Sequence, residues 1–206
     1  MSGTPLAIDD GRMSGMSGSD EVKPAGVKLT YDDYLQFPDD GKRHELIDGE
    51  HYVTPTPKRP HQQISGNLYW LIRSYLEQHP IGRLFYAPFD VIFSNFDVVE
   101  PDLLYMSNER ANEVLRDWVH GAPELVIEIA SASTRKRDET IKRRLYERFG
   151  VSEYWVVDPD VERIRVHRRV GESFGRVEEL SRETNDVLTT PLLPGLVMRL
   201  EVIFKE

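Results

Sequence analysis

LVIEIA, Leu125 to Ala130, decides how this chain reads, because one acid, Glu128, interrupts an otherwise apolar run. A near-continuous apolar stretch of this length reads as a strand buried on both faces. Alternation puts Val126, Glu128 and Ala130 on one face, and Ile127 and Ile129 on the other. Glu128 is therefore aimed at one particular side of a buried sheet. A carboxylate taken out of water is costly unless something pairs with it, so its neighbours matter.

Downstream, Asp138 to Phe149 predicts a helix that Gly150 ends as a left-handed cap. SEYWVVD, Ser152 to Asp158, follows as a second buried strand, stopped by Asp158-Pro159. The strand–helix–strand unit from Leu125 to Val157 predicts a right-handed crossover joining two parallel strands. Upstream, RLFYA (Arg83–Ala87), DVIFS (Asp90–Ser94) and DLLYM (Asp102–Met106) read as strands, and Asn108 to Leu115 as a loop or short helix. Ile64, Leu68, Leu71, Ile72, Tyr75 and Leu76 recur at helical spacing, which predicts a long amphipathic helix from His61 to about Gln78. HELIDGEHYV (His44–Val53) carries Asp48-Gly49, the two-residue hairpin signal. Thr30 to Phe37 predicts a short helix with Thr30 as N-cap and Asp33 three residues on. RIRVHRR (Arg163–Arg169) and FGRVEEL (Phe174–Leu180) pair as more exposed strands, and LPGLVMRL and VIFKE close the fold. The expectation is an α/β fold with one mixed central β-sheet flanked by helices. Residues 27–206 read as a single domain, and residues 1–26, rich in Ser, Gly and Asp, as a disordered tail.

The chain has 206 residues, 39% of them apolar, enough for a real core. There is no cysteine, so any metal would be held by oxygen or imidazole. No apolar run approaches the roughly 18 residues of a membrane span, and no secretory signal opens the chain, so a cytoplasmic location is expected. The net charge of −9 counts against non-specific coating of nucleic acid. The charge is uneven, however. Between Thr134 and Arg148 seven basic residues stand against three acids, with Arg135, Lys136 and Arg137 as nucleic-acid-binding candidates. A solvated helix face is the plainer reading of the same run.

A second cluster of acids lies upstream in VVEPDLLYM (Val98–Met106), where Glu100 and Asp102 flank Pro101. If the strand after Asp102 neighbours that of Glu128, the two carboxylates approach, since adjacent strands lie about 4.8 Å apart. Two such acids repel unless a cation sits between them, and magnesium suits one or two carboxylates plus waters and a substrate phosphate. On the helix that follows, Thr134, Asp138, Lys142 and Tyr146 are spaced by four and share a face. That spacing brings Lys142 towards the acids, with Asp138 placed to pair with it. Plainer alternatives exist for each residue. Asp102 caps a turn, Glu128 is neutralised by a core arginine, or Lys142 is one solvated lysine among many.

ELIDGE (Glu45–Glu50), PFDV (Pro88–Val91), VEPDLL (Val99–Leu104), PELVIEIASAST (Pro123–Thr134), then Asp138, Lys142 and Tyr146, and GVSEYWVVDP (Gly150–Pro159) together resemble the Uma-two family of endonucleases, within the PD-(D/E)XK nuclease superfamily. The resemblance covers about residues 29 to 205. It implies a restriction-endonuclease-like core and hydrolysis of nucleic-acid phosphodiesters, DNA foremost, with Mg2+ or Mn2+. It makes Asp102 and Glu128 the motif's two acids, with the main-chain carbonyl of Ile129 completing the metal shell. Glu45 matches the upstream acid. The usual pattern places lysine at position 130, where this chain has Ala130, and the resemblance hands that role to Lys142. Asp90 and His61 enter as supporting residues, although a histidine at a helix start also reads as a plain hydrogen bonder. The resemblance also implies a homodimer. Three readings thus stand: a metal-dependent endonuclease, a catalytically inactive module of the same fold acting in nucleic-acid binding or protein assembly, and a structural metal or salt-bridge cluster.

Overall fold

The computed structural model describes Met1 and residues 26–205; the expected tail lies, but for Met1 and Gly26, outside the described residues. Helix α1 (Tyr31–Tyr34) begins at Thr30, whose hydroxyl and backbone exchange hydrogen bonds with Asp33 in a capping box. The hairpin follows as β1 (Arg43–Ile47) and β2 (Glu50–Thr54). Its turn residues Asp48 and Gly49 both take positive φ, 52° and 75°, as the two-residue turn requires. Helix α2 (Arg59–Gln78) buries Ile64, Leu68, Ile72 and Leu76 on one face.

Four strands come next: β3 (Gly82–Tyr86), β4 (Val91–Ser94), β5 (Asp97–Val99) and β6 (Leu103–Ser107). After α3 (Asn108–Val114) and β7 (Val119–His120) comes β8 (Leu125–Ile129), buried throughout. The next helix starts earlier than its apolar pattern suggested. It runs as α4 (Arg135–Arg137), a π-helical stretch (Asp138–Lys142) and α5 (Arg143–Phe149), with Gly150 at φ 88° as its cap. Strands β9 (Glu153–Asp158), β10 (Arg163–Val170), β11 (Ser173–Phe174) and β12 (Glu178–Ser181) follow. The short β13 (Val187–Leu188) and β14 (Met198–Arg199) pair with each other, and α6 (Leu200–Ile203) ends the description.

The single central sheet that the sequence suggests is in fact two larger sheets. Seven strands form the first: β11-β10-β9-β8-β6-β3 in order, with β12 also paired to β10. Within it β8 and β9 are parallel, as the crossover unit requires. The second sheet, β2-β1-β5-β4-β7, depends on the short strand β5, whose pairing with β1 is a single long-range register (Leu46 with Val98). No local pattern announces such a contact.

Alternation on β8 then organises the core. Leu125, Ile127 and Ile129 join α2 and the C-terminal segment in one apolar cluster. Val126 and Ala130 join Ile47, Val91 and Val99 of the second sheet, together with Leu145 and Tyr146 of α5, in another. The side of β8 that carries Glu128 is therefore roofed by the second sheet and by the helix.

Candidate active site

Register places the acids. Leu103 pairs with Ile127 and Leu104 with Val126, so the next step of the same antiparallel ladder sets Asp102 opposite Glu128. Glu45 arrives from β1 in the roofing sheet and is buried with them. Lys142 comes down from the helix, itself buried, with its Nζ 2.7 Å from Glu45 Oε1 and 2.8 Å from Glu128 Oε1. The Tyr146 hydroxyl donates to the same Glu128 oxygen at 2.6 Å. Glu45 Oε1 also accepts the Glu100 N–H at 3.1 Å, while its Oε2 is buried without a hydrogen bond.

Asp102 has a separate set of partners. Its Oδ1 accepts from Arg43 Nη1 at 2.7 Å, and its Oδ2 lies 3.0 Å from His61 Nε2 and accepts the Ile129 N–H at 2.8 Å. Burial pushes its carboxyl up, but the His61 hydrogen bond and the Arg43 charge outweigh that and hold the pKa at about 2. Glu128 goes the other way. Burial, aided by the charges of Asp102, Asp138 and Glu45, raises it against the pull of Lys142. Burial works against the Lys142 ammonium, yet Glu128, Glu45 and Asp138 together keep it protonated. Burial and mutual repulsion raise both Glu128 and Asp138 beside the one Lys142 ammonium, and a further cation there would relieve that repulsion.

The π-helical stretch matters for this placement. Asp138 O accepts both the Arg143 N–H and, at 3.0 Å, the Tyr154 hydroxyl, which stabilises the widened turn beneath Lys142. Such turns gather at functional sites. Asp138 is buried, but the ion pairs of Lys142 go to Glu45 and Glu128 rather than to this expected partner. Asp90 lies off to one side, where it accepts from the Tyr34 hydroxyl at 2.9 Å. Two of the three nucleic-acid candidates turn inward. Arg135 pairs with Asp158 and Asp160, and Arg137 donates to Thr54 at 2.7 Å with its guanidinium over the Tyr52 ring. Lys136 is exposed. Arg43 was missed in the sequence, although two residues before Glu45 on a strand means the same face.

Asp102, Glu128, Ile129 and Lys142 line a cavity of about 290 Å³, with Arg43 and Arg137 at its wall. Residues 31–201 match the family model Uma2, described as "Putative restriction endonuclease". The chain belongs to the Uma2 family. It is also similar in structure to a "putative nuclease belonging to DUF820" from Anabaena variabilis, with a TM-score of 0.74 over 85% of this chain and 97% of that one. At 22% identity that likeness establishes the nuclease fold. Comparison with curated proteins gave no match.

In this Uma2 protein Ala130 is buried on the Glu128 face, and Lys142 reaches Glu128 from the helix instead. Among the described residues no three His, Asp or Glu side chains form a metal cage. The donor chemistry still fits a hard divalent ion. Two carboxylates across neighbouring strands and a main-chain carbonyl are all oxygen, and magnesium takes one or two carboxylates and keeps waters for the rest.

Proposed function

We propose that this Uma2 protein is a divalent-metal-dependent endonuclease that hydrolyses phosphodiester bonds in DNA, using Mg2+ or Mn2+, and acts in the cytoplasm as a homodimer. One observation carries the reading: Asp102, Glu128 and Lys142 line one cavity, with Glu45 buried behind them. Asp102, Glu128 and the Ile129 carbonyl would hold the ion. Bound there, it supplies Lewis-acid polarisation of a phosphoryl oxygen and acidifies a water.

The protein's own groups do the rest. Lys142 keeps its proton and offers a fixed positive charge to a phosphoryl oxygen or orients the attacking water. Glu45 anchors Lys142 from behind, and Tyr146 anchors Glu128, so neither needs to reorganise during the reaction. His61 and the Ile129 N–H orient Asp102.

The test is incubation of plasmid, linear duplex and single-stranded DNA with Mg2+ or Mn2+. Internal cleavage that a chelator abolishes is expected, falling by about a hundredfold or more in Asp102→Ala and Lys142→Ala. Failure to cut any DNA or RNA, or cleavage undiminished in both variants, contradicts it.

The catalytically inactive module is the second reading, and one observation favours it: both Asp102 oxygens already have protein partners. That reading requires Asp102→Ala to bind nucleic acid as the parent does, with neither protein cutting.

A further inference from the structure

A second and larger cavity, of about 770 Å³, adjoins the first and shares Arg43, His61 and Asp102 with it. None of the catalytic roles above uses its far side. One wall is the face of α2 made by Gln62, Ser65, Gly66 and Tyr69, which recur at three- and four-residue spacing. A second wall runs from Tyr86 to Pro88 at the end of β3. Tyr69 and Tyr86 meet edge to face, their ring centroids 5.1 Å apart and their planes at 80°. Tyr86 is 60% exposed, on the edge strand of the seven-stranded sheet. Between the tyrosines and Asp102 the α2 wall is open: a Cβ added at Gly66 would meet nothing within 4 Å.

The sheet's end ties this aromatic corner to the acids. Tyr86 pairs with Leu103 on the α2 face, and the next residue's N–H, that of Ala87, donates to the Asp102 carbonyl at 3.1 Å. The ring and the Asp102 side chain start from opposite faces of the ladder, and both line the cavity where the strands end. A volume of 770 Å³ falls among small-ligand sites, roughly 300–1,000 Å³. An exposed aromatic face beside the group that would bind a phosphodiester's metal is how a base is held by stacking, whatever its identity. A paired base cannot offer its face to such a corner without leaving the helix stack.

We propose that this cavity is a base-binding site, in which an unpaired nucleobase next to the scissile phosphate stacks on Tyr86 against Tyr69. The substrate class is therefore a single strand or an unpaired segment of DNA. This rests on the reading of Asp102 and Glu128 as the phosphodiester site. Gln62 and Ser65 border the base edge without the fixed pairwise geometry of sequence readout, so stacking makes the site tolerant of base identity.

The test measures fluorescence anisotropy of a short labelled single strand and of its duplex, in EDTA and again in Ca2+, with the intact chain. The single strand should bind more tightly than the duplex in at least one of the two conditions. Tyr86→Ala should weaken single-strand binding roughly five- to hundredfold, the range for losing one stacked base. Tyr86→Phe should retain parental binding, and duplex affinity should not move. Gly66→Leu, which the fold accommodates, should block the cavity and weaken single-strand binding as well. Single-strand affinity unchanged in Tyr86→Ala or in Gly66→Leu, or a parent that prefers the duplex or binds no single strand in either condition, overturns the proposal. Cleavage assays separate the two claims. Tyr86-dependent binding without cleavage leaves the base site standing and removes the catalytic reading, whereas cleavage indifferent to Tyr86→Ala does the reverse.

Discussion

Asp102 and Glu128 face each other across neighbouring strands, yet their charges are balanced from different places. Glu128 is served by Lys142 and Tyr146, both fully inside and both carried by the helix that roofs the sheet. Asp102 is served by Arg43 and His61, which line both cavities, and the Arg43 side chain keeps 18% of its surface exposed. The Glu128 side is thus a fixed scaffold. The Asp102 side has partners that line an open cleft, and on the proposed function they would step back into it when a metal ion or a phosphate arrives. On the proposed function, that difference would let a buried acid be paired in the free protein and still serve as a ligand.

The largest effect expected from this contrast is at Lys142. Replacing it with Met leaves Glu45 and Glu128 buried beside each other with their shared cation gone, and breaking a buried pair costs about 3–5 kcal/mol. Urea unfolding of Lys142→Met measures it. A loss below about 1 kcal/mol would mean that water already reaches these acids. Tyr146→Phe comes next. It removes one hydrogen bond to a carboxylate, an expected loss of about 1.5–3 kcal/mol by the same measurement. Arg43→Gln should cost least, about 1–2 kcal/mol, since the glutamine amide can still donate to Asp102 and His61 and the Ile129 N–H still hold it. The same change should tighten Mn2+ binding, because it removes a competitor for Asp102. If Arg43→Gln unfolds the protein as readily as Lys142→Met does, the contrast between fixed and exchangeable partners is wrong.

Much of the scaffold is legible in the chain because it is written in local periods. The two-residue period of ELVIEIA puts Glu128 on a named face, and the four-residue spacing from Thr134 to Tyr146 puts Lys142 over it. Both geometries follow from a single element. What the chain conceals comes from contacts between distant elements. The split into two sheets hangs on β5, three residues long and paired to β1 through one residue of each strand. The π-helical turn is sustained by the Tyr154 hydroxyl, a tertiary contact invisible to any helical pattern. Arg43 finds Asp102 across 59 positions of sequence. The basic run misleads for the same reason. Its charges read as a face for nucleic acid, but Arg135 and Arg137 have acceptors waiting on β9, its following turn and the hairpin. The nuclease family is legible from the order and spacing of short motifs, whereas the larger cavity beside the acids emerges only when α2 and β3 are brought together.

The most direct test of the central claim is isothermal titration of Mn2+ into the parent and into Asp102→Asn, a variant that keeps the side chain's shape and removes its charge. Saturable binding to the parent that disappears in the variant, while the variant's melting temperature shows it folded, is the predicted result. Binding of equal strength in both proteins, or no binding to the parent at all, would contradict the assignment of Asp102 and Glu128 as a metal site.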